Sequence, residues 1–374
     1  MAEDLPRVSA RVLIFKTSFQ RIFDNLRAAG FTLVGPTLRD SAIVLDEITR
    51  VEELPRGWCD EQGPDKYRLV STRGAQYFDY VVSSHSWKQF LYPPRRKLFS
   101  IEKRDGQWTI TPAEGDGCRR AFIGVRPCDL HAISIQDRVF VTGEFRDPHY
   151  SRAREQVFVL AVNCGQAGAN CFCTSLKTGP RATSGFDLAL TELPDEFVVE
   201  IGSEAGAEIM RGTDWQLATA FDLSRAAEVS DRAERQIERV LRTDDLPAML
   251  YDNAEHPEWD AVAARCLSCA NCTMVCPTCF CSTMEDGSDL RGTVCDRTRV
   301  WDSCFTLDFS HVYGGNTRPT VRARYRQWLT HKLATWIDQF GLSGCVGCGR
   351  CITWCPVGID LTEEVQAIRT EATE

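Results

Sequence analysis

CLSCANCTMVCP (266–277) and CVGCGRCITWCP (345–356) are two copies of one pattern, C-x2-C-x2-C-x3-C-P. That spacing suits cubane iron–sulfur clusters. Three thiolates on a tight loop cap three irons of one cube, and the fourth, at the start of the next helix, reaches across to the other cluster. The expected ligand sets are therefore crossed. Cys266, Cys269, Cys272 and Cys355 should hold one [4Fe-4S] cluster, and Cys345, Cys348, Cys351 and Cys276 the other. Pro277 and Pro356 turn the chain away after the fourth thiol. Gly347 and Gly349 allow close backbone approach and amide hydrogen bonds to sulfur, which help set a reduction potential. Ala270 stands where the second copy has Gly349, so the two sites need not be equal in potential. Zinc explains the pattern poorly, because zinc ribbons use four ligands, usually as two C-x2-C pairs.

The repeat is the signature of a two-cluster bacterial-type ferredoxin, but the copies are unusually far apart. Residues 251–374 are accordingly expected to form an α+β two-[4Fe-4S] ferredoxin-like domain with a long helical insert, 282–344, between the cluster motifs. Within it, VRARYRQWLTHKLATWIDQF (321–340) carries Val321, Tyr325, Trp328, Leu329, Leu333, Trp336, Ile337 and Phe340 at helical spacing. Pro319 near its start and Gly341 after its end suit helix boundaries. The helix would be about 30 Å long. Its other face holds Arg322, Arg324, Arg326 and Lys332. The plainer reading is a solvated face, and the second is neutralisation of anionic clusters or of an acidic partner. Trp301, Trp328, Trp336 and Trp354 fit equally a shield around the clusters and ordinary core.

Residues 1–250 read as an α/β domain. Residues 12–30 show a helical apolar pattern through Val12, Phe15, Phe19, Phe23 and Leu26. FTLVGPTLRDSAIVLDEI (31–48) reads as two strands around a Gly-Pro turn. AFIGVR (121–126) and QVFVLAV (156–162) suit buried parallel strands, with a helix over 128–140 between them. EFVVEIG (196–202) is a further strand. SRAAEVSDRAERQIERVLR (224–242) is a charged amphipathic helix, and TDDLPAMLYDNAEHPEW (243–259) reads as a linker. No G-x-G-x-x-G follows a strand, no phosphate-binding G-x-x-x-x-G-K-[ST] is present, and no catalytic residue is identified.

The chain has 374 residues, 18 of them cysteine. Six lie before residue 180, none between 180 and 265, and twelve from Cys266 onward. A reducing cytosol does not favour so many disulfides, so metal is the default explanation. Four of the first six, Cys128, Cys164, Cys171 and Cys173, follow two expected parallel strands and could hold a third [4Fe-4S] cluster, with Asp129 as an oxygen ligand if one thiol does not reach. Buried free thiols with a structural C-x-C, or a ligand set mixing the two domains, are the alternatives. CFCTS (171–175) and CFCST (279–283) are near copies. Cys279, Cys281 and Cys304 have no assignment. Cys295 reads as a buried apolar thiol, and Cys59 and Cys118 as structural. A net charge of −9 argues against a dedicated nucleic-acid binder. No apolar run approaches about 18 residues, so no membrane span is expected. The start, MAEDLPRV, has no apolar signal region, and the expected location is cytoplasmic.

CLSCANCTMVCPTCFC, WDSCFTLDFSHVYGGNTRP, YRQWLTHKLATWIDQFG and CVGCGRCITWCPVGID together resemble the 4Fe-4S dicluster subunit of soluble [NiFe] hydrogenases, most closely the beta subunit of the NADP-linked sulfhydrogenase type. GVRPCDL, NCFCTSLKTGP and GFDLALTEL extend the resemblance to about residue 80. A cluster-bearing family from anaerobic sulfite reductases has a related cysteine plan and gives the alternative reading, an electron-transfer subunit beside a sirohaem protein. A third reading, from outside redox chemistry, is a metal-stapled interaction scaffold. The hydrogenase resemblance implies an oxidoreductase complex. One partner carries flavin, a [2Fe-2S] cluster and the NAD(P)-binding site. The other two are the [NiFe] large subunit, and with it the hydrogenase small subunit. This chain is then their electron carrier.

Overall fold

Four strands, Thr32–Arg39, Arg120–Val125, Val157–Val162 and Leu188–Glu192, lie parallel at the centre of an eight-stranded sheet. Ala42–Glu47 pairs antiparallel at one edge, and Glu196–Ile201, Arg11–Phe15 and Gln216–Leu217 continue antiparallel at the other. A computed structural model describes residues 5–72, 74–104, 106–115 and 117–370. The opening MAED lies outside the described residues.

Both faces of the sheet are covered, which explains the nearly continuous apolar strands. Ile123, Leu160 and Val162 pack with the helix Phe19–Ala28 on one face. Phe122, Val159 and Ala161 pack with the helix Pro127–Phe140 on the other. The carboxyl ends of the two middle strands lead directly to Cys128 and Cys164, the end where open α/β sheets place their sites.

Several local expectations change. Val12 and Phe15 belong to a strand, and the helix begins at Phe19. Val12, Leu13 and Ile14 are all buried and Phe15 is exposed, so this short strand offers no alternation to set it apart from the helix that follows. Gly35-Pro36 lies inside its strand, and the turn falls at Asp40 and Ser41, whose φ values are +47° and +63°. A Cβ at Gly35 would come 2.4 Å from Ile48 Cδ1, so glycine there serves packing. The amphipathic helix spans Ala220–Arg235 and buries Asp222, Ala226, Ser230 and Ala233. Val240 beyond it is exposed.

The expected division into 1–250 and 251–374 is crossed by a second sheet. Its order is Ser282–Ser288, Val294–Trp301, Arg95–Arg104, Gln107–Pro112, so a hairpin from each part pairs edge to edge. The segment 282–344 is thus strand first and helix second. The stretch read as a linker forms the helix Leu246–Asp252 and joins the second core. There Leu246, Leu250 and Trp259 pack with Tyr325, Trp328, Leu329 and Leu333. The helix over 321–340 is interrupted by a π turn at His331–Thr335. Among the described residues no helix is long and apolar enough to cross a membrane.

Candidate metal centres

The two cysteine motifs adopt one backbone conformation. Ser268 and Ala270 have φ of +53° and +67°, and Gly347 and Gly349, at the same places in the second copy, +63° and +74°. A short helix follows each, Asn271–Met274 carrying Cys272 and Arg350–Thr353 carrying Cys351. The left-handed residues curl the loop so that backbone amides face inward. Ser268 N–H donates to Cys266 Sγ at 3.4 Å, and Gly347 N–H to Cys345 Sγ at 3.4 Å. Ile359 N–H donates to Cys355 Sγ at 3.3 Å.

Glycine is required in the second copy for a further reason. A Cβ at Gly347 would come 2.6 Å from Cys173 N, and one at Gly349 2.4 Å from Asn170 O. The N-terminal loop 170–173 lies directly on the second motif, and Phe172 N–H donates to Gly347 O at 2.9 Å.

Cys266, Cys269, Cys272 and Cys355 line one recess of about 460 Å³, walled by Phe305, Tyr325 and Trp328. Cys276, Cys345, Cys348 and Cys351 line a second of about 310 Å³. The fourth thiol of each motif thus stands in the recess of the other. Cys351 lines both. Cys269 is exposed, whereas Cys276 and Cys348 are buried. Burial pushes the Cys345 thiol up to about 12. Ligation by a cation or cluster reverses that preference, so these thiols are suited to metal rather than to a free thiolate. Among the described residues, no three Cys, His or carboxylate groups close on the position of a single ion. Each set of four thiols instead lines one shared recess.

Lys332, expected on a solvated face, is buried. Its ammonium meets Cys276 Sγ at 3.2 Å, Thr278 Oγ1 at 3.0 Å and Gly344 O at 3.1 Å. Burial opposes its charge, but the sulfurs of Cys276, Cys279 and Cys345 outweigh burial and hold it well above the usual lysine range. Lys332 lies four residues after Trp328 and four before Trp336, so the helical period had placed it on the apolar stripe. Arg324 is also buried, on Ser268 Oγ and the carbonyls of Arg318 and Pro319. Arg322 and Arg326 reach Glu255. A second buried lysine, Lys88, was not singled out from sequence. It donates to Cys279 O at 3.1 Å and lies over the Trp301 ring.

Cys279 hydrogen-bonds with Cys276, and Cys281 with Cys304. The bond from Cys304, working against burial, draws the Cys281 thiol down to about 7. Cys295 is only half-buried on its strand, and Cys118 Sγ meets Thr32 Oγ1 at 3.3 Å. Trp328 lines the first recess, while Trp336 packs on Phe340 and Trp354 stacks on Tyr67.

Cys128, Cys164, Cys171 and Cys173 also come together, around a third recess that Cys348 shares. Asp129 does not turn toward it. Both of its oxygens are taken by Arg350, each at 2.9 Å. The alternative of an oxygen ligand from Asp129 therefore falls, because its carboxylate already neutralises a buried guanidinium.

The family model of a 4Fe-4S dicluster domain matches residues 265–359. That match supports two [4Fe-4S] clusters. The chain is 31% identical over 358 residues to sulfhydrogenase 2 subunit beta of Pyrococcus furiosus, covering 94% of this chain and 96% of that protein. No solved structure matches the chain.

Proposed function

Since the chain belongs to the sulfhydrogenase beta-subunit family, we propose that it is the electron carrier of a cytoplasmic [NiFe] hydrogenase complex. It stands between a flavin/[2Fe-2S] subunit with the NAD(P) site and the hydrogenase small and [NiFe] large subunits. The observation that carries this reading is the abutment of two four-thiol recesses at Cys351, the first reaching the surface at Cys269.

In this reading Cys266, Cys269, Cys272 and Cys355 hold one [4Fe-4S] cluster, and Cys276, Cys345, Cys348 and Cys351 the other. Bound there, each cluster supplies reversible one-electron chemistry. The residues of the chain supply the rest. The amides of Ser268, Gly347 and Ile359 donate to ligand sulfur, which lowers the cost of adding negative charge. Phe305, Tyr325 and Trp328 exclude water from the first site. Lys332 places a positive charge at the second.

The test is metal and pigment analysis of the natively tagged complex, purified without oxygen. Nickel with a large excess of iron is expected. A sirohaem band without nickel would move the chain to a sulfite reductase, and neither would leave it without the assigned partners.

A further inference from the structure

The third recess, like the two dicluster recesses, is lined by four or five cysteines. Its thiols arrive from separate places in the fold. Cys128 opens the helix after one central parallel strand, and Cys164 follows the next. Cys171 and Cys173 come from the loop that docks on the second cysteine motif. A Cβ at Gly179 would lie 3.1 Å from Cys173 Sγ, so the wall is kept clear on that side by glycine.

Arg126 also lines this recess and is 3% exposed. Its guanidinium donates to Phe78 O at 2.8 Å and Tyr80 O at 2.6 Å. Its Nε has no partner, and no carboxylate among the described residues pairs with it. Buried Asp60 acts on it electrostatically without a direct ion pair, and an anionic group filling the recess would add the close counter-charge it lacks.

We propose that Cys128, Cys164, Cys171 and Cys173 hold a third iron–sulfur cluster of the [4Fe-4S] class, with Arg126 as its buried counter-ion. Four thiolates around a cubane carry net negative charge, which answers Arg126. A zinc ion would draw the four thiols onto one point, and they surround a space instead. Cys348 lines both this recess and the second dicluster recess. The third site is therefore in one-electron exchange with the second. One site is oxidised as the other is reduced, and no bond or proton moves. This exchange, unlike the site itself, rests on the dicluster reading above.

The full chain, produced without oxygen with its clusters loaded, is assayed for iron, acid-labile sulfide and zinc. Wild type should hold about twelve iron and about twelve sulfide, and Cys128→Ala/Cys173→Ala about four fewer of each. Reduced samples should show magnetic coupling that the double variant simplifies. A wild-type content of about eight iron overturns the third site and leaves the dicluster reading standing. A double variant with undiminished iron, or one zinc per chain lost with these thiols, also overturns it. Where the double variant does not fold, the wild-type count decides. A count below about eight would sink the dicluster reading itself.

Discussion

The ammonium of Lys332 lies 3.2 Å from Cys276 Sγ, inside the protein, with Thr278 Oγ1 and Gly344 O as its other two acceptors. Three donors meet three acceptors, and none of them is a carboxylate. A charge so placed favours every negative charge added to the second site. Cys279, Cys281 and Cys304 lie around the same lysine. These three thiols, with no assignment from their spacing, line neither dicluster recess and act on the second site through Lys332.

Lys332→Met keeps most of the packing and removes the charge. At an effective dielectric of about 20 and a separation of about 6 Å, a unit charge is worth about 3 kcal/mol. For one electron that corresponds to a fall in potential on the order of 100 mV. Potentiometric titration followed by electron paramagnetic resonance should show one cluster shifted down and the other nearly unmoved. Equal potentials in variant and wild type would remove Lys332 as a tuning group.

Asp129 and Arg350 join the two parts of the chain through a buried bidentate pair, the side chains 4% and 2% exposed. Arg350 also donates to Ser83 O at 2.8 Å. Asp129→Asn leaves a buried guanidinium without its anion and should cost about 3–5 kcal/mol. Asp129→Leu/Arg350→Met should cost much less, because the pair leaves together. Anaerobic denaturant unfolding of both variants checks this. Equal losses would mean that the pair's geometry, rather than an orphaned charge, sets the effect.

The cysteine pattern was legible because cluster ligation depends on local spacing, and each motif folds its own loop. The parallel strands at 120–125 and 157–162 were legible because both faces are buried and the run is continuously apolar. The crossed sheet was not. Val294–Trp301 pairs with Arg95–Arg104 across nearly two hundred residues, and neither alternates cleanly. Lys332 was legible only in part: its basic face reads first as solvated and second as neutralising anionic clusters, and its place in the helical period, beside Trp328 and Trp336, favours the second. The docking of loop 170–173 on Gly347 and Gly349 left only the glycines as a trace, and these already had a local explanation.

That docking predicts an asymmetry between the motif copies. Gly347→Ala puts a Cβ at a φ of +63° and 2.6 Å from Cys173 N. The left-handed strain alone is about 1–2 kcal/mol, and the loop must also move. Ala270→Gly, at a φ of +67°, relieves strain of the same kind in the first copy and should stabilise by up to about 1 kcal/mol. Unfolding midpoints should therefore move in opposite directions. Midpoints that move together would argue that the loop does not hold the second motif.

Cys269 is the exposed thiol of its recess, and substitution there disturbs the core least. Cys269→Ser should lose or convert the first cluster, because serine is a poorer ligand for iron, while the second recess keeps all four of its thiols. On the proposed carrier role, NAD(P)-coupled hydrogen turnover of the assembled complex should fall at least tenfold. The proposed flavin partner should still reduce artificial acceptors at the wild-type rate, since its own site is untouched. Joint loss of both activities would point to disrupted assembly rather than to a broken electron path. Unchanged coupling, with the first cluster shown to be absent by iron count, would place the electron route outside Cys269 and overturn the carrier role assigned to the first site.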